Sequence, residues 1–417
     1  MPPAAVFSGD GCCIDPRAIS CTQYHTAVII LFSCVVLGCD DLDYAIVRTG
    51  LQVLANVSLG GERHQHAVWR QFFPEGFVEI ARVRRKETSD PLCMIVYVCC
   101  DGSHEPFAEF CKEPGLTIMA EIVHTASTAG FGEDWMKLLL SRICLEETYF
   151  SPLFTMLSSL SPLSVGDIER RTANFASEQA YLLGIMSEIL NERIREIHVC
   201  NDFVLHVLAI FRRAAGSVNF TSRGHSSLPT GCNSIDVLGY SLTILRDICA
   251  RDSSMGADGN HSSGDVINAI LSGGLLDLLL HLLGELELPL TIRKSMKQDE
   301  NHSYTPPKVC PYKGFRRDIV SVIGNCAYRR KLVQDEIRQK SGILLLLQHC
   351  VSDEDDPFLR EWSIWSVRNL LEGNAENQKV VADLELQGSV NVTEITGLGL
   401  RVEVDPNTGR VKLVNIS

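Results

Sequence analysis

The sequence predicts an all-α solenoid of stacked helical repeats closed by a short C-terminal β-hairpin, and three observations carry that expectation. The first is an echo: Asn, then Gln nine residues later, in LQVLANVSLGGERHQHAV, IVSVIGNCAYRRKLVQDEI and WSVRNLLEGNAENQKVV. It places Asn56 before Gln65, Asn325 before Gln334 and Asn369 before Gln378, with Gly76, Gly342 and Gly388 following. The second is apolar residues at three- and four-residue spacing, as in Ile46, Leu51, Leu54 and Val57, or Trp135, Leu138, Leu139 and Ile143. The third is size and composition: 417 residues, 45% of them apolar, suit an extended array and exclude a disordered chain. Repeats of this kind cannot bury an apolar face alone, so they stack.

Taken in order, residues 1–25 are small, Pro-containing and weakly patterned, which predicts an irregular start. Residues 26–290 read as an N-terminal array of helical repeats separated by short Gly- or Pro-containing breaks such as LGGERH, KEPG and TAGFGED. Its first run, TAVIILFSCVVLGC at 26–39, falls short of the ~20 apolar residues that span a bilayer, so it reads as a buried helix. Two Ser/Gly-rich loops, 216–234 and 251–265, interrupt the array and bury too little apolar surface to order themselves. LLDLLLHLLGELELP is apolar on nearly all sides, as a helix sandwiched between neighbours would be. Residues 291–312, polar and with a Pro pair, read as a linker.

The C-terminal array, 313–417, has the clearest pattern. FRRDIVSVIGNCAY is one helix, KLVQDEIRQKSG a second and ILLLLQHC a third. SDEDDP puts carboxylates at the positive end of the next helix, PFLREWSIWSVRNLLEG, which ends on Gly373. LRVEVDPNTGRVKLVNI alternates apolar and polar residues around a Pro-Asn-Thr-Gly turn, the pattern of a hairpin, placed to cover the last bare face.

Charge and motifs narrow the function. A formal charge of −13 argues against a nucleic-acid surface, which needs a net basic face. The sixteen cysteines sit mostly in apolar helical text with no CxxC spacing, which points to free thiols, a reducing cytoplasm and no structural metal. No G-x-S-x-G, Walker loop or dinucleotide fingerprint occurs, so neither an enzyme nor a cofactor is expected. The expected partners are proteins, with no nucleic acid and no membrane, and self-association is open through the apolar helix at 26–39. Ser151-Pro152 and Ser161-Pro162 would be modification sites on a scaffold reading.

The block GFRRDIVSVIGNCAYRRKLVQDEIRQKSGILLLLQHCVSDEDDPFLREWSIWSVRNLLEGNAENQ resembles the C-terminal domain of the ataxin-10 family. The matching marks are I-G-N at Asn325, the following V-Q-D, and D-x-x-x-P-F-L-x-E-W running to R-N-L at Arg368–Leu370. LQVLANVSLGGERHQ is similar to an early repeat of that family. The resemblance implies an armadillo-like right-handed helical solenoid and a non-enzymatic adaptor or scaffold. It also implies protein partners and roles in cytokinesis, cell division and cell survival. A family-like array has more helices ahead of residue 26, so either the N-terminal residues cap that face or the sequence starts late.

Six residues are candidates for partner binding: Trp365, Asn369, Arg329, Arg330, Asp355 and Asp356. Trp365 and Asn369, one helical turn apart, share a face. In armadillo proteins that grip extended peptides, such an Asn fixes the peptide backbone and the Trp packs a cationic stem. The alternative reading makes Trp365 core and Asn369 an inter-helix tie. Ser321 and Gln52 stand where Asn325 and Asn56 would need a Trp, so the transport-type groove for basic peptides has one rung only. Asn56 and Asn325 read better as ties between repeats, and Trp362 as core. The acidic run Asp353, Glu354, Asp355, Asp356 is a solvated helix start or a dock for a basic loop. Arg329, Arg330 and Lys331 with Arg316 and Arg317 form a basic cluster that either faces a partner or satisfies neighbouring repeats.

Overall fold

A computed structural model describes residues 44–101, 104–130, 134–159, 175–193, 196–251, 262–295, 307–353, 356–384, 400–404 and 411–415. Expectations for residues 1–43, the apolar run at 26–39 included, lie outside them. The first eight helices are α1 (Tyr44–Ser58), α2 (Glu62–Phe72), α3 (Glu75–Arg82), α4 (Lys86–Cys100), α5 (His104–Phe110), α6 (Glu113–Ala129), α7 (Asp134–Leu140) and α8 (Phe150–Leu157). A π-helical turn, Ser141–Glu146, continues α7. Then come α9 (Ser177–Arg193), α10 (Asn201–Ser217), α11 (Asn233–Cys249), α12 (Ser262–Ser272), α13 (Leu275–Glu285) and α14 (Leu290–Ser295). The last five are α15 (Phe315–Ala327), α16 (Lys331–Gln339), α17 (Gly342–Leu347), α18 (Leu359–Leu371) and α19 (Ala375–Ala382).

The stacking order follows the chain. α1 packs on α4, α4 on α6 and α7, α6 on α9, α9 on α11, α11 on α15, and α15 on α18. Each long helix packs on the next in the series, which is the organisation of a solenoid, and one apolar core runs unbroken from Val47 to Leu370. The chain is therefore an all-α stack of helices.

α15 shows why stacking is required. Phe315, Ile319, Val320, Val322, Ile323 and Cys326 point to several sides of one helix and all are fully buried. α11, α13, α16 and α18 surround it to provide that cover. Its closest neighbour is α18, because Gly324 lets the backbones meet: a Cβ there would lie 2.2 Å from the Ser366 hydroxyl oxygen. Ser366 uses the proximity, donating to the Val320 carbonyl at 2.9 Å. α18 ends at Leu371 and is followed by a tight turn in which Asn374 N–H donates to Leu371 O at 3.2 Å and Gly373 takes the positive φ of 67° that such a turn requires. The Asn374 side chain then starts α19 by accepting from the Asn377 N–H at 3.1 Å.

The Asn–Gln echo is the joint between repeats. Asn325 donates through Nδ2 to the Arg246 carbonyl of α11 at 3.2 Å, and Asn369 to the Gly324 carbonyl of α15 at 3.1 Å. Gln334 and Gln378 each reach back seven residues to a late carbonyl of their own repeat's long helix. Gln334 Nε2 donates to Ala327 O at 3.2 Å and Gln378 Nε2 to Leu371 O at 2.8 Å. Gln334 also reaches forward to Asn369 O at 2.9 Å. Asn56, expected to act likewise, is exposed on α1, the first described helix.

Two stretches depart from expectation. The Ser/Gly-rich loop at 216–234 is a packed strap after its first helical residues. Phe220 is buried with its ring 5.9 Å from Phe315, and Gly224 N–H donates to Cys310 O at 2.9 Å. One aromatic anchor plus backbone pairing supplies the ordering that composition alone did not suggest. Of the stretch 291–312, expected as a linker, residues 291–295 belong to α14 and residues 307–312 run along the array. Glu287 N–H donates to Lys308 O at 2.8 Å, and Val309 N–H to Phe220 O at 2.8 Å. In the second loop, residues 252–261 lie outside the described residues, and Ser262 already begins α12. At the C-terminus β1 (Leu400–Val404) and β2 (Val411–Asn415) pair antiparallel, with Leu400 opposite Asn415 and Val404 opposite Val411.

Candidate protein-interaction site

α18 buries a narrow stripe, Leu359, Ser363, Ser366 and Leu370, at the i, i+4, i+7, i+11 spacing of one helix face. Much of the rest of its circumference meets water. Phe358 is 60% exposed, Trp362 37% and Trp365 54%. Phe358 is in helical register, since its carbonyl accepts from Trp362 N–H at 3.2 Å. Phe358, Trp362 and Trp365 therefore form one row on one side of the helix. The expectation that Trp362 is core is corrected: the side facing α15 is filled by small Ser side chains, and the indole lies outside that stripe.

Beside the row is a groove of about 520 Å³, lined by Arg246, Lys313, Arg317, Asp318, Asp356 and Phe358. Its acids sit inside. Asp318 accepts from the Tyr312 hydroxyl at 2.9 Å and from Arg317 Nε at 3.1 Å. Asp356 accepts from the Arg317 N–H at 3.2 Å, with the Arg317 guanidinium 3.9 Å away.

Asp353 and Asp356 were expected at a solvated helix start. Both are buried, because the two arginines at the start of α15 come across to meet them. Arg316 donates to Asp353 at 2.7 Å and to the Glu287 carbonyl at 2.6 Å, and Glu287 is also held by Arg223. Asp353 and Asp356, with Arg316 and Arg317, thus satisfy neighbouring repeats. Asp355 and Glu354 lie outside the described residues.

The remaining candidates separate. Arg330 donates to the carbonyls of Asn325 at 2.9 Å and Cys326 at 3.3 Å, closing the C-terminal end of α15. Arg329 is exposed, with its guanidinium 5.0 Å from the Tyr328 ring centre. Asn369 is half-buried and donates one amide N–H to Gly324 O, as an inter-helix tie. Trp365 stays accessible, with the Arg368 guanidinium 4.8 Å from its ring centre. Of the six candidates the structure brings Trp365 and Asn369 to one helix and Asp356 to its base. Sequence reasoning missed Phe358, Arg246 and Lys313. The i, i+4, i+7 spacing of Phe358, Trp362 and Trp365 was the available signal for the first.

Burial raises the Asp356 carboxyl from 3.8 to about 6, Asp318 and Asp353 adding to the rise and Arg317 opposing it. A folded-state value above the ordinary one means the folded chain holds this proton more tightly than the unfolded chain. The associated stability is present below about pH 4 and lost as the pH climbs through about 6. Asp356→Asn removes that loss while keeping an acceptor for the Arg317 N–H. Melts followed by circular dichroism should show the variant matching wild type near pH 4 and exceeding it near pH 7, by on the order of 2 kcal/mol. A gap that stays constant with pH overturns this assignment.

Comparison with known proteins fits these features. A profile described as the Spinocerebellar ataxia type 10 protein domain matches residues 315–414, from α15 to β2. Ataxin-10 of Bos taurus is 36% identical over 364 residues, covering 85% of this chain and 69% of that protein. The chain belongs to the ataxin-10 family. Ataxin-10 of Xenopus tropicalis is 24% identical over 371 residues, covering 85% of this chain and 68% of its own. The ataxin-10 homolog of Dictyostelium discoideum is 40% identical over 104 residues, 25% of this chain and 17% of that one. Among solved structures, a designed armadillo repeat protein is similar at a TM-score of 0.30 and 11% identity, over 83% of this chain and 98% of its own. The ataxin-10 profile therefore spans the whole of α15 and α18, the helices that carry the groove and the aromatic row.

Proposed function

We propose that this ataxin-10 family chain is a non-enzymatic adaptor of armadillo type that binds other proteins through the outward face of α18. The observation that carries the reading is the row Phe358, Trp362 and Trp365, three aromatic side chains left to water on one side of one helix. Clustered exposed aromatics beside a groove are the usual anchors of protein interfaces. The row occupies a rigid element, tied to α15 through Ser366 and Asn369. A role in cytokinesis, cell division or cell survival, exercised in the cytoplasm, extends the family resemblance to this chain. The β1–β2 hairpin is proposed as the closing element of the array.

Affinity purification from dividing cells, read by mass spectrometry, tests the reading. A Trp362→Ala/Trp365→Ala variant should keep the wild-type circular dichroism spectrum and lose a defined subset of partners. An unchanged partner set moves the interface away from α18.

A further inference from the structure

We propose that the α18 face and its groove take an acidic segment of a partner protein, a peptide whose apolar side chains seat on Trp362 and Trp365 and whose carboxylates reach Lys313, Arg317 and Arg246. This rests on the interaction site proposed above and adds the sign of the partner's charge.

The argument is the layering of charge. Asp318 and Asp356 have side chains only 4% and 6% exposed, whereas Arg246 and Arg317 keep 25% and 28% of theirs at the surface. Lys313 stands exposed at the rim. A ligand entering the groove therefore meets guanidinium and ammonium edges first, and the carboxylates that balance them lie behind. At the other end of the row the exposed Arg368 lies over Trp365. Among residues 356–368, which carry the aromatic row, Glu361 is the one exposed acid.

The chain as a whole has a net charge of −13, so an outward cationic face runs against its average. Such a face attracts acidic segments while the rest of the surface repels them. Aromatic anchors within a rim of cations match an acidic peptide with aromatic or aliphatic residues at helical spacing. A basic peptide would place its own cations against Arg246, Lys313 and Arg317.

The test is a displayed library of random 16-residue peptides, selected on the full chain and counter-selected on the Trp362→Ala/Trp365→Ala variant. Selected peptides should be net acidic with apolar anchors. A synthetic copy of one should bind at least tenfold more weakly to a Lys313→Glu/Arg368→Glu variant whose circular dichroism is unchanged, and more weakly at 300 than at 50 mM salt. Peptides that need the tryptophans yet are basic or uncharged overturn the acidic partner and leave the site standing. Acidic peptides indifferent to the Lys313→Glu/Arg368→Glu change overturn it as well. Absence of any tryptophan-dependent enrichment overturns both this inference and the site beneath it.

Discussion

Arg316→Met should destabilise the C-terminal half of the array by about 3–5 kcal/mol, the usual cost of removing one member of a buried ion pair. The Arg316 and Asp353 side chains are 5% and 6% exposed, and their 2.7 Å contact joins the start of α15 to the turn before α18. The same guanidinium holds the Glu287 carbonyl beyond α13. Met fills much of the volume but leaves the Asp353 carboxylate inside without that guanidinium. Urea unfolding measures the size of the effect, and hydrogen exchange should locate it in α13, α15 and residues 350–353. Changing Asp353 to Leu in the same chain should recover a good part of the loss, because the residual cost is mostly the stranded charge. A loss below about 1 kcal/mol would mean that water solvates this pair.

Gly324→Val should be as damaging for a steric reason. The Cβ of any larger residue would stand 2.2 Å from the Ser366 hydroxyl oxygen and 2.9 Å from the Ser366 Cα. The hydroxyl can turn away, but the backbone of α18 cannot, so the helices must separate. Separation weakens the Ser366 bond to Val320 O and the Asn369 bond to Gly324 O. Overpacking of this kind costs about 3 kcal/mol, and more when hydrogen bonds are lost with it. Thermal melts should show a drop for Val greater than for Ala. A variant melting like wild type would mean that the α15 and α18 backbones do not approach this closely at Gly324.

Much of the fold was legible because helical periodicity and the Asn–Gln echo are local signals. The echo announced repeats, but not the acceptor of Asn325, since Arg246 lies 79 residues earlier. The acidic run and the arginines were each visible as clusters. Their pairing across 37 residues, Arg316 to Asp353, depends on the turn before α18 folding back on α15. The candidate site was read in part. In LREWSIWSVRNLL the apolar residues fit more than one stripe, and the side facing α15 is chosen by Gly324 and two serines rather than by the largest side chains. Hydrophobicity therefore pointed to Trp362 as core when close backbone packing had put Ser363 and Ser366 there. The strap at 218–232 escaped for a related reason: its order comes from Phe220 and from backbone bonds to a segment some ninety residues on.

The hydrogen-bonded rungs also have a mechanical meaning. A purely apolar seam between two helices resists pulling apart but offers little against sliding along the axis. The amide bridges from Asn325 to α11 and from Asn369 to α15 act as pins against that shear. At the matching position one repeat earlier stands Asp247, whose carboxylate is turned to Arg246 of its own helix. The last three long helices should therefore move as one stiff beam, so that a load borne on α18 is handed through α15 to α11 rather than absorbed at the surface that receives it.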